Sequence, residues 1–275
     1  MYSMTGTDKA LTDYELNRRA PAIFATHPEP GVSEKYGFVP TIEVINGLRA
    51  EGWYPVRAVQ TRVRDEENRA YARHMIRFRR LGDPIQVGDS LAELVLTNSH
   101  NRTAAYSLDV GLFRLLCSNG LVVSTNDLGS VKVRHGKQIV DEVIEASYEI
   151  IDHIPQLAEK VETLQSIQLE PMERMAMAES AMVMRYGSGW EVKAPITASA
   201  LLSPRRASDP GKESEADLWQ TYNIVQENLF QGGLRGVTRN KHRMRTRPIK
   251  SVTEDVRLNK ALWVLAERMA ELKAA

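Results

Sequence analysis

The residues whose types and spacing are best suited to chemistry lie near the C-terminal end. Arg235, Arg239, Lys241, Arg243, Arg245, Arg247 and Lys250 place seven cations in sixteen positions, and no Asp or Glu occurs between Glu227 and Glu254. Clustered cations without neighbouring carboxylates neutralise phosphates, which is the sequence-independent part of nucleic-acid binding. The run follows Gly232-Gly233 and holds few apolar anchors, so the expectation is a loop over 232–250 that contacts a nucleic-acid backbone. The competing expectation is a solvated loop docked on acidic surface between Asp141 and Glu179, in this chain or a neighbouring subunit. There, ten acids stand against only Lys160 and Arg174.

A second basic surface is expected further upstream. From Trp53 the pattern alternates: Val56, Ala58, Thr61 and Val63 are apolar or neutral, and Arg57, Arg62 and Arg64 fall on the other side. The phase slips near Val59, where a β-bulge would preserve one apolar face. Asp65 to Asn68 reads as a turn, and the return strand Tyr71 to Arg80 puts Ile76 and Phe78 on one face and Arg73, Arg77 and Arg79 on the other. An arginine-lined sheet can track a phosphate backbone, with Trp53, Tyr71 or Tyr106 stacking on bases. The alternative is an exposed face balanced by Asp65, Glu66 and Glu67. His74, on the side of Ile76 and Phe78, reads as a core histidine.

Catalytic constellations are weak. Cys117 as a nucleophile would draw on His100 or His135 as base and Asp109 as orienter, yet a lone Cys after Leu115-Leu116 reads as a small buried hydrophobe. Asp109, His100 and His135 lack the paired spacing of a metal site. No Walker loop, dinucleotide fingerprint, HExxH or paired-Cys pattern occurs. No catalytic residue, metal or cofactor is therefore expected, and an enzyme is the less favoured class.

The elements that must position these residues indicate an α+β fold. A short arm helix, Tyr14 to Arg19, is capped at Thr12 or Asp13, and a packing helix, Ile42 to Ala50, has Thr41 as its cap and Gly52 just past its end. Strands follow at Leu91 to Thr97 and Tyr106 to Leu108. Gly111 to Leu116 is ambiguous between strand and helical turn, and closing strands are read at Leu121 to Ser124 and Val131 to His135. Ile139, Val143, Ala146, Ile150, Ile154, Leu157, Val161 and Leu164 then recur every three or four residues, giving a long amphipathic helix that Pro155 should kink or divide. Pro171 starts a helix with clustered methionines, Asp217 to Phe230 is amphipathic, and Glu254 to Leu272 is the last helix, capped by Thr253. The result is an N-terminal antiparallel β-sheet with a packing helix, followed by long amphipathic helices in the C-terminal half. Residues 1–136 form the sheet-rich region and 137–275 the helical one, whether as two domains or as one continuous domain.

Composition supports an ordinary globular chain. Of 275 residues, 43% are hydrophobic and 26% charged, and 36 Lys and Arg against 35 Asp and Glu leave a net charge of +1, so any basic surface must come from segregation along the chain. One Cys excludes an internal disulfide framework and suggests a reducing compartment. No apolar stretch suits a signal peptide or a membrane span, so a cytoplasmic protein without membrane contact is expected.

Thr97-Asn98-Ser99-His100, followed by the run from Gly111 through Arg114, Cys117 and Asn119 to Val123, resembles the hallmark of a phage- and plasmid-borne family known as domain of unknown function 932. Tyr36 to Thr41, His74 to Arg79, Val131 to His135 and Asn259 to Trp263 are similar to family segments in matching order, so the resemblance covers nearly the whole chain. After His100, related sequences tend to read Asp-Gly-Ser where this chain has Asn101-Arg102-Thr103. The resemblance implies a mobile-element setting and no established activity. Together with the basic surfaces it implies a protein that binds single-stranded DNA in replication or annealing-type recombination, with homo-oligomers suggested by heptad-like spacing and the Met cluster. One alternative is an inhibitor of a host nuclease or defence system, its acidic helix imitating nucleic acid for a host protein target. Another is a metal-dependent hydrolase.

Overall fold

The computed structural model describes residues 9–32, 37–87, 90–101, 103–114, 120–123, 130–133, 138–205 and 217–274. The chain divides into two compact units. One comprises Met1–Leu115 and Val122–Gln156, and the other Leu116–Leu121 and Leu157–Ala275. The division falls inside the long helix, beside Pro155, and not ahead of it. No helix among the described residues is long and apolar enough to cross a membrane.

The first unit opens with α1 (Asp13–Arg19), whose Thr12 cap and Glu15 form a reciprocal capping box. α2 (Thr41–Ala50) begins one residue earlier than its pattern suggests, with Pro40 at the cap position. Thr41 is therefore no cap, and its hydroxyl is buried. The strands are β1 (Trp53–Gln60), β2 (His74–Arg80), β3 (Gln86–Val87), β4 (Ser90–Asn98), β5 (Tyr106–Arg114), β6 (Gly120–Val123) and β7 (Ser130–Val133). They form one sheet in the order β1-β2-β4-β5-β6, with β3 on β4 and β7 on β5. The ladders β1 to β2, β2 to β4, β3 to β4, β4 to β5 and β5 to β7 are antiparallel.

The irregularity in β1 lies between Pro55 and Arg57, earlier than the slip expected near Val59, because Pro55 lacks the N–H that a regular ladder needs. β1 then ends at Gln60, so Arg62 and Arg64 lie outside the sheet. The stretch from Tyr106 to Arg114 is one continuous strand, which settles Gly111 to Arg114 as extended. β2 and β4 are buried along nearly their whole length on both faces. One face carries the apolar core of Ile76, Phe78, Leu94, Leu96, Leu108 and Val110.

α3 (Ile139–Ser166) is unbroken and passes through Pro155 without dividing. Pro155 sits on the exposed side of the helix. Within the first unit, α3 comes so near α2 that a Cβ on Gly47 would lie 2.8 Å from Val140 Cγ1.

The second unit contains α4 (Pro171–Tyr186), α5 (Trp190–Lys193), α6 (Leu218–Gln231), β8 (Arg235–Val237), β9 (Arg243–Arg245) and α7 (Val252–Ala274). Asp217 caps α6 by accepting from Gln220 N–H at 2.6 Å. α7 starts two residues earlier than expected, and Ser251, not Thr253, accepts from the Glu254 N–H. The core is apolar and aromatic: Trp219 stacks on Tyr222 at 5.8 Å, and Trp263 meets Tyr222 edge-on at 6.2 Å. Of the clustered methionines, Met177 and Met182 are buried here, whereas Met172 is exposed.

Candidate functional site

The basic run is a loop only in part, since two short segments of it pair as strands. β8 and β9 form an antiparallel ribbon with Arg235 opposite Arg245, Gly236 opposite Met244, and Val237 opposite Arg243. Strand alternation sends Arg235, Val237, Arg243 and Arg245 to one exposed face and Gly236 and Met244 to the other. Gly236 packs on Pro195-Ile196, and at the outer edge of β8 Val237 N–H donates to the Pro195 carbonyl at 2.8 Å. A Cβ on Gly236 would lie 2.2 Å from that carbonyl oxygen, so only glycine permits the contact.

The ribbon is closed at both ends by backbone bonds. At the tip, Thr238 N–H donates to His242 O at 2.9 Å, and Lys241 takes the left-handed conformation at φ 59. At the root, Gly233 N–H donates to Thr246 O at 2.7 Å, and Thr246 N–H to Leu234 O at 2.9 Å. The expectation of a loop held only in part because the segment has few apolar anchors, and what holds it instead is main-chain pairing and two close-approach glycines, Gly232 and Gly236.

All seven cations, Arg235, Arg239, Lys241, Arg243, Arg245, Arg247 and Lys250, are exposed, and none forms an ion pair with a carboxylate among the described residues. Arg239 Nε reaches the Val192 carbonyl at 3.2 Å. Two further arginines brace the root: Arg185 donates to the Arg247 carbonyl, and Arg205 to the Gly232 carbonyl and to Asn228 Oδ1. The outcome is a cationic ribbon, fixed in place by its neutral face.

The sheet arginines have a different fate. Arg62 and Arg64 are exposed, but Arg77 and Arg79 are buried and clasp one carboxylate. Arg77 Nε lies 2.7 Å from Glu93 Oε2, and Arg79 Nη2 lies 2.5 Å from Glu93 Oε1. The Arg77 guanidinium also stands 3.2 Å from the centroid of Phe113. Burial pulls the Arg77 guanidinium below its ordinary value, and Glu93 opposes that shift. Arg77 and Arg79 therefore offer no surface to a phosphate backbone. Alternation marked this face as polar without showing that it is covered, and the overlooked sign was Glu93 inside the apolar run Leu91 to Leu96. The three stacking candidates, Trp53, Tyr71 and Tyr106, are buried as well.

The motif residues converge on the core face of the first unit. The hydroxyl of Thr41 lies 2.9 Å from His74 Nε2, 3.2 Å from His100 Nε2, 3.2 Å from Tyr106 Oη and 3.1 Å from Asn98 Nδ2. Thr41, His74, Asn98, His100 and Tyr106 are all fully buried. Tyr106 Oη donates to the Val39 carbonyl at 2.9 Å, and the Phe38 ring lies 4.9 Å from that of His100. Burial lowers His74 to about 4, so its imidazole is neutral near neutral pH. Ser99 closes the adjoining corner, its Oγ accepting from Ala104 N–H at 2.7 Å. This network fastens α2 and the 98–106 corner to the sheet.

Arg114 ends β5, and Cys117, Asn119 and His135 lie outside the described residues. Asp109 alternates with Leu108 and Val110, and so points to the sheet face opposite the motif histidines. The sheet thus separates it from His100. No group of metal-ligating side chains occurs among the described residues.

A family model described as "Domain of unknown function (DUF932)" matches residues 31–263. The chain is also similar to UPF0380 protein YafZ and UPF0380 protein YfjQ of Escherichia coli strain K12. Each is 40% identical over 262 residues, covering 95% of this chain and 92% of the relative. No solved structure matches it significantly. The match spans the segments that build both the Thr41 network and the cationic ribbon, and the chain belongs to the family of domain of unknown function 932.

Proposed function

We propose that this protein binds nucleic acid, with the β8–β9 ribbon as its contact surface. The observation that supports this reading is the exposure of seven cations on and beside one anchored hairpin, with no carboxylate to neutralise them among the described residues. Such a surface is costly for the folded protein alone, because like charges repel. It becomes favourable when phosphates displace counterions around it. Docking through Gly236 fixes the orientation of the ribbon, so the cations form a patterned surface and not a diffuse tail.

The test is fluorescence anisotropy of labelled DNA across a salt series. It compares the intact protein with the variant Arg239→Ala, Lys241→Ala, Arg243→Ala, Arg245→Ala. Binding should weaken steeply with salt, and the variant should lower the slope of log K against log salt by about 3 to 4. Unchanged affinity in a folded variant would remove the ribbon from the interface.

A further inference from the structure

We infer that the exposed face of the ribbon reads base edges in the major groove of duplex DNA, an inference that rests on the nucleic-acid reading above. The argument begins with what the ribbon lacks. No Phe, Tyr or Trp occurs from Gly233 to Lys250, and the single imidazole, His242, lies at the tip, so the paired strands carry no aromatic platform on which successive unpaired bases could stack. Sequence-tolerant single-strand binding depends on such platforms.

Its dimensions and side chains favour a groove instead. Two paired strands lie about 5 Å apart, and the major groove of B-form DNA, about 12 Å wide, admits a two-stranded ribbon. The major groove of an A-form RNA helix is too deep and narrow for such reading. A ribbon used this way needs one face against the protein and one free, and here Gly236 packs on Pro195-Ile196 with the half-buried Met244 beside it on the same face, while Arg235, Val237, Arg243 and Arg245 face outward.

The chemistry of the free face is that of base readout. Arginine presents two parallel N–H groups that match O6 and N7 of guanine, and an apolar side chain packs on the methyl group of thymine. Val237 is the apolar member, 52% exposed and directly across the ladder from Arg243. A valine adds nothing to phosphate binding, and at this exposure adds little to the core. Arg235 and Arg245 stand opposite each other, a like-charge pair that costs the isolated ribbon stability. Arg239 and Lys241 at the tip, with Arg247 and Lys250 past the root, are left to hold the flanking phosphates.

The experiment measures anisotropy of the full chain on four probes. These are a 30-base-pair random-sequence DNA duplex, the same duplex with 7-deazaguanine for guanine, the matching RNA duplex, and single-stranded DNA. The expected result is binding to the DNA duplex about tenfold tighter than to RNA duplex or single strand, and a weakening of about fivefold by 7-deazaguanine, which removes the N7 acceptor. The triple variant Arg235→Lys, Arg243→Lys, Arg245→Lys should shrink the 7-deaza effect while keeping most of the affinity, since an ammonium retains the charge but not the two-pronged geometry. Equal or tighter binding to single strands, or binding to the 7-deazaguanine duplex as tight as to the guanine duplex, overturns groove reading and leaves nucleic-acid binding standing. No binding to any probe at low salt overturns both. The base substitution is made in the DNA, so the result does not depend on how a protein variant folds.

Discussion

The hydroxyl of Thr41 and Nε2 of His74, 2.9 Å apart in the core of the first unit, fix the protonation of the network around them. His74 Nδ1 lies 3.0 Å from the Ala72 carbonyl and must donate to it, so Nε2 of this neutral ring is an acceptor and Thr41 donates. A hydroxyl has one proton to give, so His100 Nε2 must carry its own proton and donate to Thr41, as Asn98 Nδ2 does. The Thr41 hydroxyl therefore donates to one imidazole and accepts from the other.

Replacing that oxygen with a methyl group should be costly although the shape is kept. Thr41→Val removes the acceptor for two buried donors and the donor for His74, and each group left unmade costs about 1–3 kcal/mol. Urea denaturation should show a loss of at least about 3 kcal/mol. DNA affinity measured well below the transition should be unchanged, because Thr41 and the ribbon belong to different compact units.

The same network makes the fold sensitive to acid. Burial lowers His74 from 6.5 to about 4, so between those values the unfolded chain binds a proton that the folded chain refuses. Stability is then complete above about pH 6.5 and falls by about 1.4 kcal/mol per unit as pH drops toward 4. At pH 5 the loss from this group should be about 2 kcal/mol. Urea midpoints measured from pH 7.5 to 5 should show the decline, and His74→Gln, which keeps an acceptor for Thr41, should flatten it. A decline of equal slope in the variant would assign the effect to other groups.

Glu93 holds the opposite sheet face through charge. Glu93→Gln leaves Arg77 and Arg79 buried beside a neutral amide, and breaking a buried ion pair from one side costs about 3–5 kcal/mol. Replacing all three with Met, Leu and Met should recover most of that loss, because the desolvation penalty leaves with the charges. Thermal unfolding of the single and triple variants separates the two outcomes.

Much of the architecture was legible in residue order, because period alone marks β4 as a strand and α3 as a helix. What escaped was tertiary in origin. Thr41 has the type and place of a helix cap, but the polar corner at Asn98 to His100, 57 or more residues away, recruits its hydroxyl to the core. Arg77 and Arg79 have the spacing of an exposed basic face, and only pairing with β4 brings Glu93 to them. The ribbon was read correctly in charge but not in form, since its anchors are glycines and main-chain bonds with no hydrophobic period. The seven cations could be found from composition, whereas their division into a free face and a docked face could not.

The docked face supplies the most direct separation of fold from function. Gly236 lies where a Cβ would come within 2.2 Å of the Pro195 carbonyl and 2.9 Å of Ile196 Cγ2, so Gly236→Ala must push the ribbon off its seat. The hydrogen bond from Val237 N–H to Pro195 would go with it. The helical core of the second unit, built on Trp219, Tyr222, Leu262 and Trp263, does not depend on that contact, and its unfolding midpoint should shift little. The charge of the ribbon is unaltered, so nonspecific attraction to DNA should persist. What should fall, by about tenfold, is the preference for duplex over single strand, because that preference needs the free face held in a fixed orientation. Measuring both forms of DNA against wild type and Gly236→Ala in one buffer reads this directly, and a ratio that does not change would mean that the anchoring of the ribbon has no part in recognition.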